Sequence, residues 1–330
     1  MELSTLISYT ERVINGGAIT PQEAEELITL SDEDTPMALA MADRIRQHFG
    51  SAAVDCCAII NGRSGRCPEN CRFCAQSSHY HTGVKEYGLL DSDTIVAAAK
   101  KAKAAGAARF AIVTSGRSVT EGPEFDRILT TLTRIKKEAH IEICCSLGLI
   151  SLHQAQALKA IGLSRYHANI ETAPSHFPAI CSTHSFEDKA AMIHIAQEAG
   201  LRVCSGGIFG LGESLAQRVE MAFTLKKFGI DSIPLNILNP ISGTPFGNNA
   251  PLPPWEILRT FATFRFILPH ALIRTAGGRE VNLRSLQAYA LTGGLDGLMI
   301  GGYLTTSGNK VSVDMQMLQD LGKQPVAPTV

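Results

Sequence analysis

Cys67, Cys71 and Cys74 stand in the spacing C-x₃-C-x₂-C, inside the segment NGRSGRCPENCRFCAQSSHYHTG. Three thiolates this close on one loop can ligate a single compact metal centre, and soft thiolate ligands select zinc, copper(I) or iron–sulfur. Zinc asks for a fourth ligand, which His79 or His81 could supply. A [4Fe–4S] cluster held by the three cysteines would instead keep one iron open for a substrate or cofactor. With the three thiolates in place, His79 and His81 are expected to be ordinary loop histidines. Nine cysteines in 330 residues exceed what one such centre uses. In a reducing compartment the remainder are ligands, nucleophiles or buried thiols rather than disulfides.

Such a loop needs a scaffold, and the rest of the chain has a strand–helix rhythm. Candidate strands are Ala53–Ile60, Arg109–Thr114, Ile141–Leu147, Arg165–Glu171, Arg202–Ile208, Ser232–Leu238, Ala271–Thr275 and Asp296–Ile300. Amphipathic stretches such as DTIVAAAKKAKAAG, PEFDRILTTLTRIKKEA, FEDKAAMIHIAQEAG and SLAQRVEMAFTLKKFG lie between them, several closed by a glycine that suits a helix C-cap. About eight such units in roughly 250 residues fit an α/β fold of the (β/α)₈ TIM-barrel type, with an open doubly wound sheet as the alternative. Residues 1–50 read as a helical N-terminal cap. In it, Thr20 and Pro21 open one helix and TPMALAMADRIRQHF, stopped by Gly50, forms another. The barrel is expected over 51–325 and a frayed tail over 326–330. On a barrel, chemistry gathers at the C-terminal ends of the strands, and the cysteine triplet falls in the loop after the first strand.

Composition narrows the partners. A formal net charge of −1 without a basic run argues against nucleic acid or an anionic membrane. No apolar run reaches membrane-spanning length, and the start MELSTLISYTERVINGG lacks the pattern of a signal peptide, so a cytoplasmic protein is expected.

Phe73 extends the triplet to C-x₃-C-x-φ-C, which resembles the signature of radical S-adenosylmethionine enzymes. The phrases CPENCRFCAQSSHYHTG, LRVCSGGIFGLGES, IPLNILNPISGTP and IRTAGGRE, in that order, closely resemble the biotin synthase family from about residue 50 almost to the C-terminus. The resemblance implies that Cys67, Cys71 and Cys74 hold a [4Fe–4S] cluster. Its open iron would bind the amino and carboxylate groups of S-adenosylmethionine. One electron would then release methionine and a 5′-deoxyadenosyl radical. It further implies sulfur insertion between two unactivated carbons of dethiobiotin. Two S-adenosylmethionine molecules would be used per product, and the sulfur would come from a second, sacrificial iron–sulfur cluster deeper in the barrel. A flavodoxin- or ferredoxin-type electron donor and a homodimer come with the family.

The second cluster is where this chain departs from the pattern, which is a [2Fe–2S] centre held by cysteines on the second, third and fifth strands and an arginine on the seventh. Cys144 in EICCSLG, Cys204 in RVCSGG and Arg274 in LIRTAGG match, but Ala111 stands where the second-strand cysteine belongs. Alanine cannot ligate iron. Cys57 in AVDCCAIIN falls where the family often has a serine facing this cluster, and is the expected replacement in a [2Fe–2S] or variant centre. Arg274 would be a ligand or a hydrogen-bonding neighbour. Cys56 and Cys57 cannot both point inward from a regular strand.

The same resemblance assigns Asn169 to a place between the two substrates, and Glu171 to the ribose of S-adenosylmethionine, against a plain helix-start acid. Asn236 would meet the ureido ring of dethiobiotin, for which an amide offers both donor and acceptor. Lys189 stands where the family often has an arginine near the methionine carboxylate, with a solvated helix surface as the plainer reading. Ser115 and Gly116 would receive the methionine amine, and Phe73 and Ile208 would lie beside the cofactor. Arg109 would support the deep cluster or sit at a strand edge. The glycines of GGIFGLGE are expected to make room for adenosine or substrate. Cys145 and Cys181 are expected to be plain thiols. A relative without sulfur insertion, of the hydrogenase-maturation or methylornithine type, is the nearest alternative, and a non-catalytic zinc-binding barrel a distant one.

Overall fold

The structure, a computed structural model, describes residues 1–327. Three helices come first: α1 (Leu3–Ile14), α2 (Pro21–Ile28) and α3 (Thr35–Phe49). Helix α2 starts on a reciprocal capping box, in which the Thr20 hydroxyl accepts from Glu23 N–H and the Glu23 carboxylate accepts from Thr20 N–H. The strand–helix succession then runs β1 (Asp55–Arg63), α4 (Ser92–Ala104), β2 (Arg109–Thr114), α5 (Pro123–Ala139), β3 (Glu142–Ser146), α6 (Leu152–Ala160) and β4 (Arg165–His167). It continues with α7 (Phe186–Glu198), β5 (Arg202–Cys204), β6 (Gly207–Phe209), α8 (Leu215–Lys227), β7 (Ser232–Ile237) and α9 (Pro254–Ile267). The last elements are β8 (Leu272–Thr275), α10 (Arg279–Leu283), α11 (Gln287–Thr292), β9 (Gly297–Met299) and α12 (Val311–Asp320).

Every ladder in the sheet is parallel, and the sheet closes on itself. Strand β1 lies between β2 and β9, with Asp55 opposite Gly297, while β5 meets β7 at Cys204 and Ser232. Strands β5 and β6 are the two halves of one barrel strand, broken at Ser205–Gly206, so the barrel has eight strand positions. The break has a steric cause. A Cβ on Gly206 would stand 1.9 Å from Pro234 O, so β7 approaches as closely as it does only because position 206 has no side chain.

Most strand boundaries fall within one or two residues of expectation, and two strand ends differ by more. Strand β1 runs on to Arg63 through a register shift between Asn61 and Arg63, which turns the chain into the cysteine loop. Strand β4 is regular only over Arg165–His167; Ala168 and Ile170 N–H still donate to Cys204 O and Gly206 O before Glu171 takes the left-handed φ of +68°. The N-terminal helices lie against the barrel's outer wall: α1 on α3, α2 on α8 and α9, and α3 on α9 and α11. Arg259 of α9 ties them down, donating to Ile28 O at 3.0 Å and Thr35 Oγ1 at 3.1 Å. Their apolar faces join the barrel's helices in one continuous core. Val326 N–H donates to Val54 O, pairing the C-terminal segment with the start of the barrel; residues 328–330 of the expected tail lie outside the described residues. No helix among the described residues is long and apolar enough to cross a membrane.

Candidate active site

The barrel encloses a cavity of about 330 Å³ that reaches from the deep strand residues up to the cysteine loop. Near the start of the strands, Asp55, Arg109 and Arg274 meet. Arg109 Nη1 donates to both Asp55 oxygens at 3.1 Å and its Nε to Glu142 Oε2 at 2.9 Å, while Arg274 Nη2 lies 3.1 Å from Asp55 Oδ1. Arg109 is therefore a buried cavity residue, not a strand-edge arginine.

Cys57, Cys144 and Cys204 line the same cavity and are all buried. Alternation along each strand decides which cysteine of a pair points inward. Cys56 and Cys145 turn away into the packing between barrel and helices, whereas Cys57 and Cys144 face the cavity. Ala111 also lines the cavity, directly beside Cys144 in the ladder. Cys204 receives hydrogen bonds from Ser232 Oγ at 3.4 Å and Arg274 Nη1 at 3.7 Å.

The three thiols feel one another's charge. Burial pushes Cys57 up, against the pull of Arg274 and Arg109. Burial, then the neighbouring Cys204 and Cys57, push Cys144 up. Burial also acts to raise Cys204, but a hydrogen bond with His167 and the Arg274 guanidinium outweigh it, and this thiol is held below its ordinary value. Arg274 Nε, fully buried, finds no hydrogen-bond acceptor among the described residues. Converging thiols with an orphaned cationic donor beside them fit an anionic sulfide cluster.

At the mouth, Cys67, Cys71 and Cys74 lie on the loop after β1, all half-buried. The loop is folded tightly: Cys74 N–H donates to Cys71 O, Cys67 N–H to Gln76 O and Ser78 N–H to Cys67 O. Burial raises the Cys74 thiol to about 11, opposed by backbone N–H donors from Gln76 and Ser77. Amides aimed at a sulfur suit a thiolate bound to a positively charged metal centre, so this donor set fits a cluster as well. Phe73 and Cys74 reach the central cavity, so the loop and the deep thiols share one chamber.

Between the two sets lie Asn169, Glu171, Ile208 and Asn236, all cavity-lining. Glu171 is held by its left-handed turn, not by a helix start, and its backbone O accepts from Ile208 N–H at 2.8 Å. Its carboxylate accepts from Asn169 Nδ2 at 3.3 Å and lies 4.0 Å from Lys189 Nζ, so two residues singled out separately form one pair. Asn236 donates to Gly207 O and accepts from Gly277 N–H, which fixes its amide in the wall and still leaves one N–H and one lone pair free. Ser115 and Gly116 border a separate pocket with Arg63, Ser64 and Tyr87; Ser115 Oγ donates to Gly65 O, supporting the cysteine loop from behind. The glycines at 206 and 207 do not make room for a ligand. Their absent Cβ atoms would strike Pro234 O and, at 2.3 Å, Glu171 O, so they let strand and loop backbones meet.

Sequence reasoning passed over Cys181, expected to be a plain thiol, and never considered His184 or Glu69. Cys181 Sγ lies 3.8 Å from Cys71 Sγ and 3.3 Å from His184 Nδ1, and that nitrogen is 2.5 Å from Glu69 Oε2. The contact with Cys71 lowers Cys181, aided by His184 and Thr183, and raises Cys71 in turn. The spacing C-x-x-H at 181–184 is the signal that could have found them. His79 is exposed and contacts Pro68 O.

A closed parallel barrel with a three-cysteine loop after its first strand defines a radical S-adenosylmethionine enzyme, and the "Radical SAM superfamily" profile matches residues 63–225. A second profile, "Biotin and Thiamin Synthesis associated domain", matches residues 234–324. Among curated proteins, the chain is 49% identical to a biotin synthase of Geobacter sulfurreducens over 96% of this chain and 98% of that one. It is also 49% identical to a biotin synthase of Desulforudis audaxviator, over 94% of each. The chain belongs to the biotin synthase family. Among solved structures, methylornithine synthase superposes with a TM-score of 0.83 at 18% identity, covering 96% of this chain and 97% of that one. The hydrogenase maturase HydG from Carboxydothermus hydrogenoformans gives 0.78 at 18% identity, covering 99% and 80%. At these identities the two likenesses bear on the fold alone.

Proposed function

We propose that this biotin synthase, acting on dethiobiotin, takes its sulfur from a second iron–sulfur cluster held by Cys57, Cys144 and Cys204, with Arg274 beside it. The observation behind this is the convergence of three buried thiols and the Arg274 guanidinium in the cavity that Cys74 enters from above. When bound, the loop cluster supplies the electron that splits S-adenosylmethionine and the deep cluster supplies the sulfur. The chain's own residues bind, orient and shield. Cys67, Cys71 and Cys74 hold the loop cluster. Glu171, steadied by Asn169 and Lys189, offers a carboxylate to the ribose hydroxyls. The free N–H and lone pair of Asn236 meet the ureido ring. Arg274 and Arg109 offset the negative charge of the deep cluster, and the closed barrel keeps water from a carbon radical.

The family resemblance also supports a flavodoxin- or ferredoxin-type donor, a homodimer, a cytoplasmic setting and a division into a helical segment 1–50 and a barrel 51–325. Nine cysteines, all free, agree with a reducing compartment.

Anaerobic reconstitution followed by incubation with dethiobiotin, S-adenosylmethionine and a reductant tests the reaction. Biotin or a thiolated intermediate is expected. Deoxyadenosine without either would assign the chain to a relative that does not insert sulfur. Cys57→Ala is expected to lower iron and sulfide content while sparing the loop cluster, and unchanged content would remove Cys57 from the ligand set.

A further inference from the structure

We propose that Cys71, Cys181 and His184 form a mononuclear site for one thiophilic divalent cation, filled in the cluster-free protein and exclusive with the loop cluster. The ligand atoms are already at the spacing one ion needs. Two sulfurs bound tetrahedrally at about 2.3 Å stand about 3.8 Å apart, and a sulfur and an imidazole nitrogen about 3.5 Å. The Cys71–Cys181 and Cys181–His184 separations are 3.8 and 3.3 Å, and all three atoms lie within 4.8 Å of one another. Thiolates bound to different irons of a cluster stand further apart, so this pair matches one ion.

The site is built by two segments far apart in sequence. Cys71 belongs to the loop after β1, and Cys181 and His184 to the connection between β4 and α7. Asn70 Oδ1 accepts from the N–H groups of Ser182 and Thr183, Asn70 Nδ2 donates to Ser182 Oγ, and Arg72 N–H donates to Ile180 O. Arg117 Nη1 donates to Thr183 O and to Glu69 Oε1. Glu69 Oε2, buried and 2.5 Å from His184 Nδ1, shares a proton with that nitrogen; an ion bound at Nδ1 displaces this proton, and the fourth position falls to water. Because Cys71 serves both centres, an ion held here blocks assembly of the loop cluster. That consequence rests on Cys71 being a cluster ligand; the site itself does not.

Cobalt(II) titration of the anaerobic, cluster-free full chain tests the site. Intense visible bands and thiolate-to-cobalt absorption of a tetrahedral centre are expected. Cys181→Ser and His184→Gln should each weaken cobalt binding at least tenfold. A variant with Cys67→Ala and Cys74→Ala, unable to hold the loop cluster, should keep it. Wild-type binding in both single variants, or loss of binding in the double variant, would overturn the proposal. The deep thiols are common to every variant and do not affect the comparison. Separately, one equivalent of zinc(II) added before reconstitution should slow loop-cluster formation at least tenfold in the wild type but not in Cys181→Ser. Equal slowing with cobalt binding still lost in Cys181→Ser would retain the site and remove the competition. Recovery of the cluster spectrum in zinc-free Cys181→Ser shows that this variant folds.

Discussion

Asp55 is shared by the two cavity guanidiniums, Arg109 and Arg274. Arg109 has Glu142 as a second carboxylate, whereas Arg274 keeps a buried Nε without an acceptor among the described residues, so it is Arg274 that can offset the negative charge of the proposed sulfide cluster. Replacing Asp55 by Asn removes the carboxylate 3.1 Å from Arg274 Nη2. Breaking a buried pair by removing one member costs about 3–5 kcal/mol, so Asp55→Asn should lower the urea midpoint by a corresponding amount. Ala111 offers the converse test. Ala111→Cys places a fourth thiol beside Cys144 and should alter the absorption and paramagnetic spectra of the deep cluster alone; unchanged spectra would put position 111 out of its reach. The inward-facing cysteines were legible because strand alternation and the surrounding phrases both bear on them. The pairing of Cys181 with Cys71 was not, because the two thiols are 110 residues apart in sequence and meet only once the barrel has closed.

At the scale of elements, the glycine pair 206–207 has more influence than any side chain nearby. It breaks one barrel strand into β5 and β6 and lets β7 and the Glu171 turn approach. Gly206→Ala would force Cβ into Pro234 O, a clash with backbone that no rotamer relieves. Overpacking of this kind costs about 1–3 kcal/mol or more, and thermal denaturation should show the loss directly. Most strands were legible to within a few residues, because apolar runs and helix-ending glycines mark them. The overrun at Glu171 came from a left-handed turn that tertiary contacts impose on a residue with no local preference for it. At the opposite end of the barrel, Asp231 joins the first residues of β4 and β5, accepting from Arg165 Nη1 at 2.6 Å and Arg202 Nε at 2.8 Å. Burial acts to raise this carboxyl, but the two arginines outweigh it and hold it below its ordinary value. A depressed folded-state pKa stabilises above the unfolded value of about 3.9, and that contribution is lost as pH falls through the folded value. Asp231 is 41% exposed, so the contribution is about 1 kcal/mol or less. Asp231→Asn should therefore lower stability at neutral pH by about 1 kcal/mol or less and flatten the acid limb below about pH 4, where the two proteins converge.

Closure of the barrel was beyond the sequence, because a run of strand–helix units fits an open sheet equally well until the first and last strands pair. The β1–β9 ladder makes that pairing, and the segment after β9 then folds back along the cavity wall, contributing Tyr303, Leu304, Thr305 and Thr306. What holds this return is a buried polar network. Arg279 Nη2 donates to Asp314 Oδ2 at 2.7 Å and its Nη1 to Gln287 Oε1 at 2.6 Å, while Asn309 Nδ2 donates to Asp314 Oδ1 at 3.0 Å. Both members of the ion pair are essentially inaccessible, at 1% and 0%. Asp314→Ala removes the closer of the two carboxylates beside the Arg279 guanidinium and leaves it only Glu280 Oε1 at 3.4 Å, so the cost stays below the roughly 3–5 kcal/mol of a fully unpaired buried charge. It also frees the segment between β9 and α12, which forms part of the cavity wall. Amide hydrogen exchange over residues 301–309 should accelerate in this variant while the β1–β3 ladders stay protected. Dethiobiotin should then be held more weakly, raising KM more than it lowers kcat, since the deep thiols and the loop cysteines are untouched. Unchanged exchange over 301–309 in Asp314→Ala would mean that the wall is held by the barrel alone, with the network contributing only to global stability.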